Sequence, residues 1–407
     1  MKRLSHFILC LLMGLLAMAQ VSELSVEQHL EDYDFVVKYI EENYAGFPSK
    51  VNDSTRADYE AMKSRLRDQV AGNGRSCWDA VAAYTGWFDD YHTRLCLNEL
   101  DGKGRVRGAT DKYRSKTPVY YDDFMELYNP QPVACKVTEK TFLVRFPSCY
   151  GDISMKWIEG SINAFYESGC ENFILDIRGN SGGRDTYWNP YWLLLADHDG
   201  EISEVEFRNS AAYRDSLLHE LQTQGLPAGL IQGVQAVFPL LQSVNFVPGS
   251  IVRQFLVGLT DNQAFSYAHL QSVLEALTHP EMMHDKIVIH LDEVSDAVHR
   301  AALIIDNTVA SSGEALVEVL KATSNRTTVY GRDNTKGCID FSNCNEIEMP
   351  HCGINVMVPM SRRAGLPETG IDATGIAPDV RIPLPLPDRL TDNIDEWVIW
   401  VAQQLEK

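Results

Sequence analysis

A glycine-rich turn that follows a buried strand is the first feature of this sequence that could do chemistry. The segment is Asn172-Phe-Ile-Leu-Asp-Ile-Arg-Gly-Asn-Ser-Gly-Gly183, whose apolar start can cross a core. Its polar residues then interrupt the apolar run, and its glycines allow a tight turn. Such a turn presents backbone N–H groups that can bind an anion or a developing oxyanion. The glycine spacing fits neither G-x-G-x-x-G nor a P-loop, which argues against a phosphate site.

A second strand-to-helix turn carries a pair of serines. The segment is Ala301-Ala-Leu-Ile-Ile-Asp-Asn-Thr-Val-Ala-Ser-Ser-Gly-Glu-Ala315. Leu303 to Ile305 predicts a short buried strand, and a helix is predicted over residues 315–322. The residues from Ser311 to Glu314 have the composition of a helix N-terminus. A serine there exposes its hydroxyl, and the helix dipole favours its alkoxide, although a serine that only caps the helix would give the same pattern.

The two segments together resemble the signature pair of the carboxyl-terminal processing (tail-specific) serine proteases, the S41 peptidases. That family also includes tricorn protease and the interphotoreceptor retinoid-binding protein repeats. The resemblance is carried by D-I-R-G-N-S-G-G and T-V-A-S-S-G-E-A and extends from about Phe142 to Pro383. It implies that Ser311 is a nucleophile that forms an acyl-enzyme. The predicted activity is therefore that of a serine endopeptidase.

The same resemblance assigns the groups around the nucleophile. The N–H of Gly182 or Gly183 and the N–H of Ser312 are expected to form the oxyanion hole. Three more side chains are expected to support the site structurally: Asp176, Arg178 and Glu314.

Lys336 is one of two candidates for the base that activates the serine hydroxyl. It lies 25 residues after Ser311 (336 − 311), in Tyr330-Gly-Arg-Asp-Asn-Thr-Lys-Gly337, which is similar to the segment that carries the catalytic lysine of the processing proteases. A lysine is a base only if burial lowers its pKa towards neutrality. Asp340 stands where that branch has a glutamine, and a carboxylate there would keep Lys336 protonated.

His92 is the other candidate base. It lies in Trp87-Phe-Asp-Asp-Tyr-His-Thr-Arg94, which resembles the Asp-x-His-Thr segment of the tricorn-like branch, with Tyr91 in place of that branch's serine. Imidazole needs little tuning to act as a base near pH 7. Gly370-Ile-Asp-Ala-Thr-Gly-Ile-Ala-Pro-Asp379 resembles the family's late segment and places Asp372 where tricorn-like members have a glutamate. The sequence thus favours His92 as general base, with Asp372 orienting it and Lys336 as the competitor.

The elements that must position these residues divide the chain into several parts. Apolar residues at helical spacing predict an N-terminal helical domain over 20–104, which ends by delivering His92. The catalytic core is predicted over 105–390, with a helical insertion at about 201–283, and a C-terminal helix over 391–407. The resemblance implies an α/β core of the ClpP/crotonase type, a spiral of ββα units. The span from Leu100 to Thr141 is too short for the PDZ domain that processing proteases often carry, so none is expected.

The N-terminus and the composition restrict compartment and partners. Residues 1–19 have a basic start, an apolar run and a small-residue cleavage site, which predicts a secretory signal peptide and a periplasmic or secreted protein. The formal net charge of −20 becomes −22 when Lys2 and Arg3 are removed, which argues against nucleic acid and anionic membranes as partners. No cofactor is implied, and His279, His284 and His290 lack the spacing of a metal site.

Eight cysteines remain once Cys10 is removed with the signal peptide: Cys77, Cys96, Cys135, Cys149, Cys170, Cys338, Cys344 and Cys352. An even number in an exported protein permits disulfides, whose connectivity the sequence leaves open. A bridge among the last three would brace the loop that carries Lys336. Two alternatives to the endopeptidase also stay open, a non-catalytic protein that binds a peptide or apolar ligand on the same fold, and a hydrolase of non-peptide acyl substrates.

Overall fold

The structure of the protein is a computed structural model that describes residues 24–72, 74–96, 128–223, 225, 228–241, 244–250 and 285–407. The predicted signal peptide and most of the span considered for a PDZ domain lie outside these residues. The described chain is a mixed α/β protein that separates into two compact units. None of its described helices has the length and apolar character needed to cross a membrane.

The first unit, called here the helix–hairpin unit, collects Met1–Thr110, Glu204–Asp285 and Phe341–Ala364. Its helices are α1 (Val26–Asn43), α2 (Phe47–Lys50), α3 (Arg56–Ala71), α4 (Cys77–Trp87), α7 (Ala211–Thr223) and α8 (Ala228–Val237). Its strands are β1 (Arg94–Leu95), β6 (Val205–Arg208), β7 (Phe246–Pro248), β11 (Phe341–Glu348) and β12 (Asn355–Arg363). The strands form an antiparallel sheet in the order β1-β12-β6-β7, with β11 also paired to β12.

Aromatic side chains form much of the core that holds α1, α3 and α4 together. Tyr33, Tyr59 and Tyr84, one from each of these helices, are fully buried. The hydroxyls of Tyr59 and Tyr84 lie 2.9 Å apart, so each buried phenol has a hydrogen-bond partner. α4 leads through Phe88 to the short segment that carries His92.

The second unit, called here the sheet unit, collects Asp111–Ser203, Lys286–Asp340 and Gly365–Lys407. Its helices are α5 (Met155–Ser168), α6 (Asn189–Leu195), α9 (Ser312–Thr323) and α10 (Glu396–Leu405). Its strands are β2 (Val133–Lys136), β3 (Thr141–Arg145), β4 (Asn172–Asp176), β5 (Gly200–Ser203), β8 (Lys286–Ile289), β9 (Arg300–Ile305), β10 (Thr327–Gly331) and β13 (Val380–Arg381).

Six of these strands form one sheet in the order β13-β10-β9-β4-β3-β2, in which only the pair β2–β3 is antiparallel. Alternate residues of the central strands enter different cores. Phe173 and Leu175 pack with α5, α6 and α9 on one face, whereas Ile174 packs with α10 on the other. Burial on both faces explains why these strands are continuous apolar runs and not alternating ones.

The insertion expected to be helical over about 201–283 has a different composition in its described part. Helices α7 and α8 are present, but strands β6 and β7 flank them and pair with each other. Residues 201–203 belong to β5, which pairs with β8 in the sheet unit. The Leu- and Gln-rich pattern therefore predicts α7 and α8 but misses β6 and β7. Strands of three or four residues are too short to give a periodic signal in the sequence.

Candidate active site

The two signature turns of the sequence lie side by side because their strands are neighbours. β4 and β9 are parallel and in register, with Asp176 paired to Ile304. Parallel neighbours end at the same edge of a sheet, so the glycine-rich turn after β4 meets the serine turn after β9. The two turns are joined directly, since the Ala310 N–H donates to the Asn180 carbonyl at 3.0 Å.

Ser311 occupies a strained backbone conformation between strand β9 and helix α9. Its φ is 52° and its ψ is −122°. A β-carbon makes this region costly for any residue but glycine, by about 1–3 kcal/mol. The residue immediately precedes the first helical residue, Ser312, and its backbone N–H donates to the Glu314 carboxylate at 3.2 Å, as in a capping box. A strained serine at a strand–turn–helix junction is the geometry of an exposed nucleophile.

Gly182 and Gly183 approach their neighbours too closely to carry any side chain. A β-carbon on Gly182 would lie 2.8 Å from the Ser311 β-carbon and 2.9 Å from the Ala310 carbonyl oxygen. One on Gly183 would lie 2.1 Å from the Cys149 carbonyl oxygen. Both glycines also have positive φ, 106° and 127°. The glycine-rich turn is therefore packed directly against the serine.

The backbone N–H groups of the two turns differ in their partners. The Gly182 N–H donates to the Asn180 side-chain oxygen at 3.0 Å. The N–H groups of Gly183 and Ser312 have no acceptor among the described residues. Two such donors, one on each turn, are the groups that an oxyanion hole requires. Of the two glycines that the sequence offers for this role, Gly183 is the one whose N–H is unengaged within the described part.

The Ser312 hydroxyl is held by two residues that the sequence reasoning did not single out. The Trp188 indole N–H donates to it at 3.0 Å, and it donates to the Asp185 carboxylate at 2.6 Å. Asp185 and Trp188 follow the glycine-rich turn, so they connect that turn to the start of α9. No motif in the sequence marks them, because the contact spans 127 residues and depends on the β4–β9 pairing.

Glu314 connects the serine turn to the loop that carries Lys336. Its buried carboxylate accepts from the Ser311 N–H at 3.2 Å, the Thr335 hydroxyl at 2.6 Å, the Gly337 N–H at 2.6 Å and the Cys338 N–H at 2.9 Å. Burial raises its pKa, against the lowering effect of these four donors. The Lys336 N–H also donates to the Val309 carbonyl at 2.8 Å, so this loop lies against the serine turn.

Asp340 and Asp372 hold the residues that follow Lys336 against the segment at 371–372 through hydrogen bonds. Both oxygens of the Asp340 carboxylate accept backbone N–H groups, from Ile371 at 2.9 Å and from Asp372 at 2.9 Å. In return the Asp372 carboxylate accepts from the Asp340 N–H at 3.0 Å. These reciprocal bonds join the segment after Lys336 to the segment that the sequence matched to the family's late motif.

His92 lies in the helix–hairpin unit, whereas the other predicted site residues lie in the sheet unit. Its backbone N–H donates to Asp90 at 3.0 Å, and its buried ring faces the Phe341 carbonyl. The Nδ1 atom is buried and has no hydrogen-bond partner among the residues that the structure describes. Burial lowers the pKa of His92 to about 4, with Arg94 acting in the same direction and Asp90 against it. The imidazole is therefore neutral at pH 7, the protonation state that a general base needs.

Asp176 and Arg178 belong to a buried cluster of four charges that fixes the start of the glycine-rich turn. Asp176 pairs with Arg145 at 2.8 Å and with Arg178 at 2.7 Å, and Asp395 pairs with both arginines. Burial by itself would raise the pKa of Asp176, but Arg178 and Arg145 lower it to about 2. The sequence reasoning missed Arg145 and Asp395. The available signal was a charged residue at the end of an otherwise apolar strand.

Metal-ligand chemistry is confined to one place in the described part of the chain. Asp32, Cys77 and Cys352 bring three ligand atoms within 4.8 Å of one another, in the helix–hairpin unit. The site around Ser311 contains no such group among the described residues. The arrangement there, a strained serine beside two backbone donors, supports nucleophilic acyl transfer.

Comparison with known proteins finds one family match and similar folds among solved structures. The model of peptidase family S41 matches residues 140–382. Mature CPAF in complex with lactacystin is similar over 94% of this chain and 97% of its own, at 13% identity and a TM-score of 0.53. A candidate peptidase from Parabacteroides merdae ATCC 43184 is similar over 94% and 96%, at 12% identity and a TM-score of 0.50. At these identities the two likenesses concern the fold. No match was found among curated protein sequences.

Proposed function

Because this chain belongs to peptidase family S41 and is a serine-type peptidase, we propose that it cleaves peptide bonds through an acyl-enzyme on Ser311. The observation that carries the proposal is the strained backbone of Ser311, which packs against Gly182 and is followed by the Ser312 N–H, a donor with no acceptor among the described residues. The serine oxygen attacks the scissile carbonyl, and the carbonyl oxygen becomes negative. The N–H groups of Ser312 and Gly183 then stabilise that charge, which is worth about 10²–10³ in rate for each donor.

The general base in this proposal is His92, with Asp372 as its supporting carboxylate and Lys336 as the competitor. His92 is supported by the resemblance of its surroundings to the Asp-x-His-Thr segment and by its neutral imidazole. Its Nδ1 atom also has no partner within the described part of the chain. Lys336 is supported by the hydrogen bonds that hold its loop against the serine turn. The base takes the serine proton during attack and returns it to the leaving amine.

Cleavage of an unfolded protein and of a peptide library, followed by mass spectrometry, tests the proposal. Wild type should cut, and Ser311→Ala should be inactive while keeping its circular dichroism spectrum. A fluorophosphonate probe should label Ser311 in wild type alone. Equal cleavage by Ser311→Ala would overturn the assignment. Absence of both cleavage and labelling in wild type would favour the ligand-binding alternative, and turnover of esters alone would favour the acyl hydrolase.

The two candidate bases are distinguished by variants and by pH. If His92 is the base, His92→Ala should lose at least about 10²-fold in kcat/KM, and Lys336→Ala should lose much less. Because His92 becomes protonated only near pH 4, wild-type kcat/KM should stay level down to about pH 5 and fall below it. A loss in Lys336→Ala that exceeds the loss in His92→Ala would assign the role to Lys336.

We further propose that the protein is exported and periplasmic or secreted, and that its core is a ClpP/crotonase-like spiral without a PDZ domain. The export proposal rests on the leader-like composition of residues 1–19. N-terminal sequencing of the protein recovered from its natural compartment should begin at Gln20. An N-terminus at Met1 would contradict the export proposal.

A further inference from the structure

Two buried thiols meet in the helix–hairpin unit, far apart in sequence. Cys77 is the first residue of α4, and Cys352 lies in the turn between β11 and β12. Both are buried, at 0% and 3% exposure. Their sulfur atoms lie within 4.8 Å of each other. A hydrogen bond between the two thiols, together with burial, raises the pKa of Cys77.

Asp32, in the middle of α1, fixes both cysteines in this position. Its carboxylate accepts the His351 N–H at 2.8 Å and the Cys352 N–H at 3.0 Å, which docks the turn on the helix. The Cys77 sulfur lies 3.7 Å from the same carboxylate. The backbone at Cys352 is therefore held by hydrogen bonds to Asp32, and the Cys77 N–H donates to the His29 Nδ1 at 3.4 Å. None of these bonds uses a sulfur atom, so they would survive formation of a sulfur–sulfur bond.

We propose that Cys77 and Cys352 form a structural disulfide that joins α4 to the β11–β12 turn. The oxidant is a disulfide, either oxidised glutathione or the disulfide of an exchange protein. As the bond between Cys77 and Cys352 forms, the disulfide of the oxidant breaks and takes up two electrons and two protons to give two thiols. Thiolate is the reacting species, and the contact with Cys352 together with burial raises the pKa of Cys77 in the folded protein, so the bond forms while the unit folds. Closing a loop of 275 residues (352 − 77) restricts the unfolded chain strongly.

A structural zinc ion is the main competitor, and the donor set argues against it. Structural zinc sites are closed by four protein ligands. Only three ligand atoms meet here among the described residues, and both Asp32 oxygens already accept backbone N–H groups. The sequence places Cys352 close to Cys338 and Cys344 along the chain, which suggests a bridge among these three. In the structure the Cys338 sulfur faces the Ser311 N–H in the sheet unit, whereas Cys352 faces Cys77.

Peptide mapping of the full-length chain tests the proposal. The protein is refolded in a glutathione redox buffer or in dithiothreitol, denatured in the presence of iodoacetamide and digested. A linked peptide pair containing Cys77 and Cys352 should appear in the glutathione sample alone, with the other cysteines alkylated. Alkylation of both residues in folded protein from the glutathione buffer would overturn the proposal. So would one bound zinc per chain together with two free thiols.

Thermal unfolding gives a second readout. The glutathione-refolded protein should melt at least about 5 °C higher than the same protein after reduction. The difference should disappear in Cys77→Ser/Cys352→Ser and persist in the matched control Cys135→Ser/Cys170→Ser. If the first double variant fails to fold, the comparison of oxidised and reduced wild type still decides. Equal melting temperatures for these two forms would contradict a structural role.

Discussion

At the scale of single residues, the site depends on two backbones that approach more closely than side chains normally allow. Ser311 holds a positive φ although it has a β-carbon, and Gly182 lies against it because it has none. The Ser311 conformation costs about 1–3 kcal/mol. Two hydrogen bonds offset this cost, one from the Ala310 N–H to the Asn180 carbonyl and one from the Ser311 N–H to the Glu314 carboxylate. Strain of this kind persists only where the surroundings determine it.

Replacement of Gly182 by Ala should damage the site more than it damages the fold. The added β-carbon would meet the Ser311 β-carbon and the Ala310 oxygen below 3.0 Å, at a φ that alanine disfavours. We expect kcat/KM to fall at least about 10²-fold from displacement of the nucleophile, with a loss of roughly 1–3 kcal/mol in the free energy of unfolding.

Gly160→Ala is the matched control, because a β-carbon there meets nothing within 4 Å and the residue lies inside helix α5. It should leave activity unchanged and stabilise the protein by up to about 1 kcal/mol. Steady-state kinetics and urea denaturation measure both effects. Full activity of Gly182→Ala would show that the two turns are not held in this contact.

At the scale of elements, α9 and the Lys336 loop act as one piece because a single carboxylate joins them. Glu314 accepts from four donors, three of them backbone N–H groups. A carboxylate suits this position because it has acceptor sites only. Asp340 and Asp372 repeat the device on the other side of the loop, where each accepts a backbone N–H of the other's segment.

Glu314→Gln should therefore loosen the loop although the side chain keeps its shape. The amide nitrogen would face two donors and leave them without an acceptor, at about 1–3 kcal/mol each. We expect lower stability in urea denaturation and faster hydrogen exchange at Gly337 and Cys338. Glu159→Gln, on the exposed face of α5, is the control and should stay within about 0.5 kcal/mol of wild type. Unchanged exchange in Glu314→Gln would argue against a shared role of helix and loop.

At the scale of the whole molecule, the two units should respond to acid in different pH ranges. In the helix–hairpin unit the pKa of His92 falls from 6.5 to about 4 on folding. Between these values the unfolded chain binds more protons, so about 3 kcal/mol of stability, present above pH 6.5, is lost as the pH falls to 4. In the sheet unit the pKa of Asp176 falls from 3.8 to about 2. Its contribution of about 2 kcal/mol is present above pH 4 and lost as the pH falls to 2.

Hydrogen exchange at a series of pH values can follow the two units separately. Once corrected for intrinsic rates, the opening free energies of α4 amides should decline between pH 6.5 and 4, and those of β4 and β9 only below pH 4. His92→Gln should remove the first decline, whereas the exposed-histidine control His290→Gln should keep it. A simultaneous decline in both units of wild type would contradict the assignment.

Much of the sheet unit could be predicted from sequence because its signals are local. The apolar runs predicted β4 and β9, and the composition of Ser311 to Glu314 predicted the helix N-terminus at which α9 begins. The bounds were less accurate, because β9 and α9 each begin three residues before the predicted strand and helix, and α10 begins at Glu396, inside the predicted range 391–407. The signature turns predicted the family, which the match over residues 140–382 confirmed. The assigned roles of Ser311, His92, Lys336 and Asp372 stay predictions that the experiments above address.

The sequence alone determined which residue types carry the chemistry and on which turns they lie, because strand, turn and cap preferences are properties of a few neighbouring residues. Only the tertiary structure decided which distant residues meet, both around Ser311 and in the helix–hairpin unit. Arg145, Asp395, Asp185 and the Cys77–Cys352 pair each act through contacts between segments more than 30 residues apart. Such contacts depend on strand register and helix docking, which are set by burial of whole elements, so the adjoining sequence does not identify the distant partner.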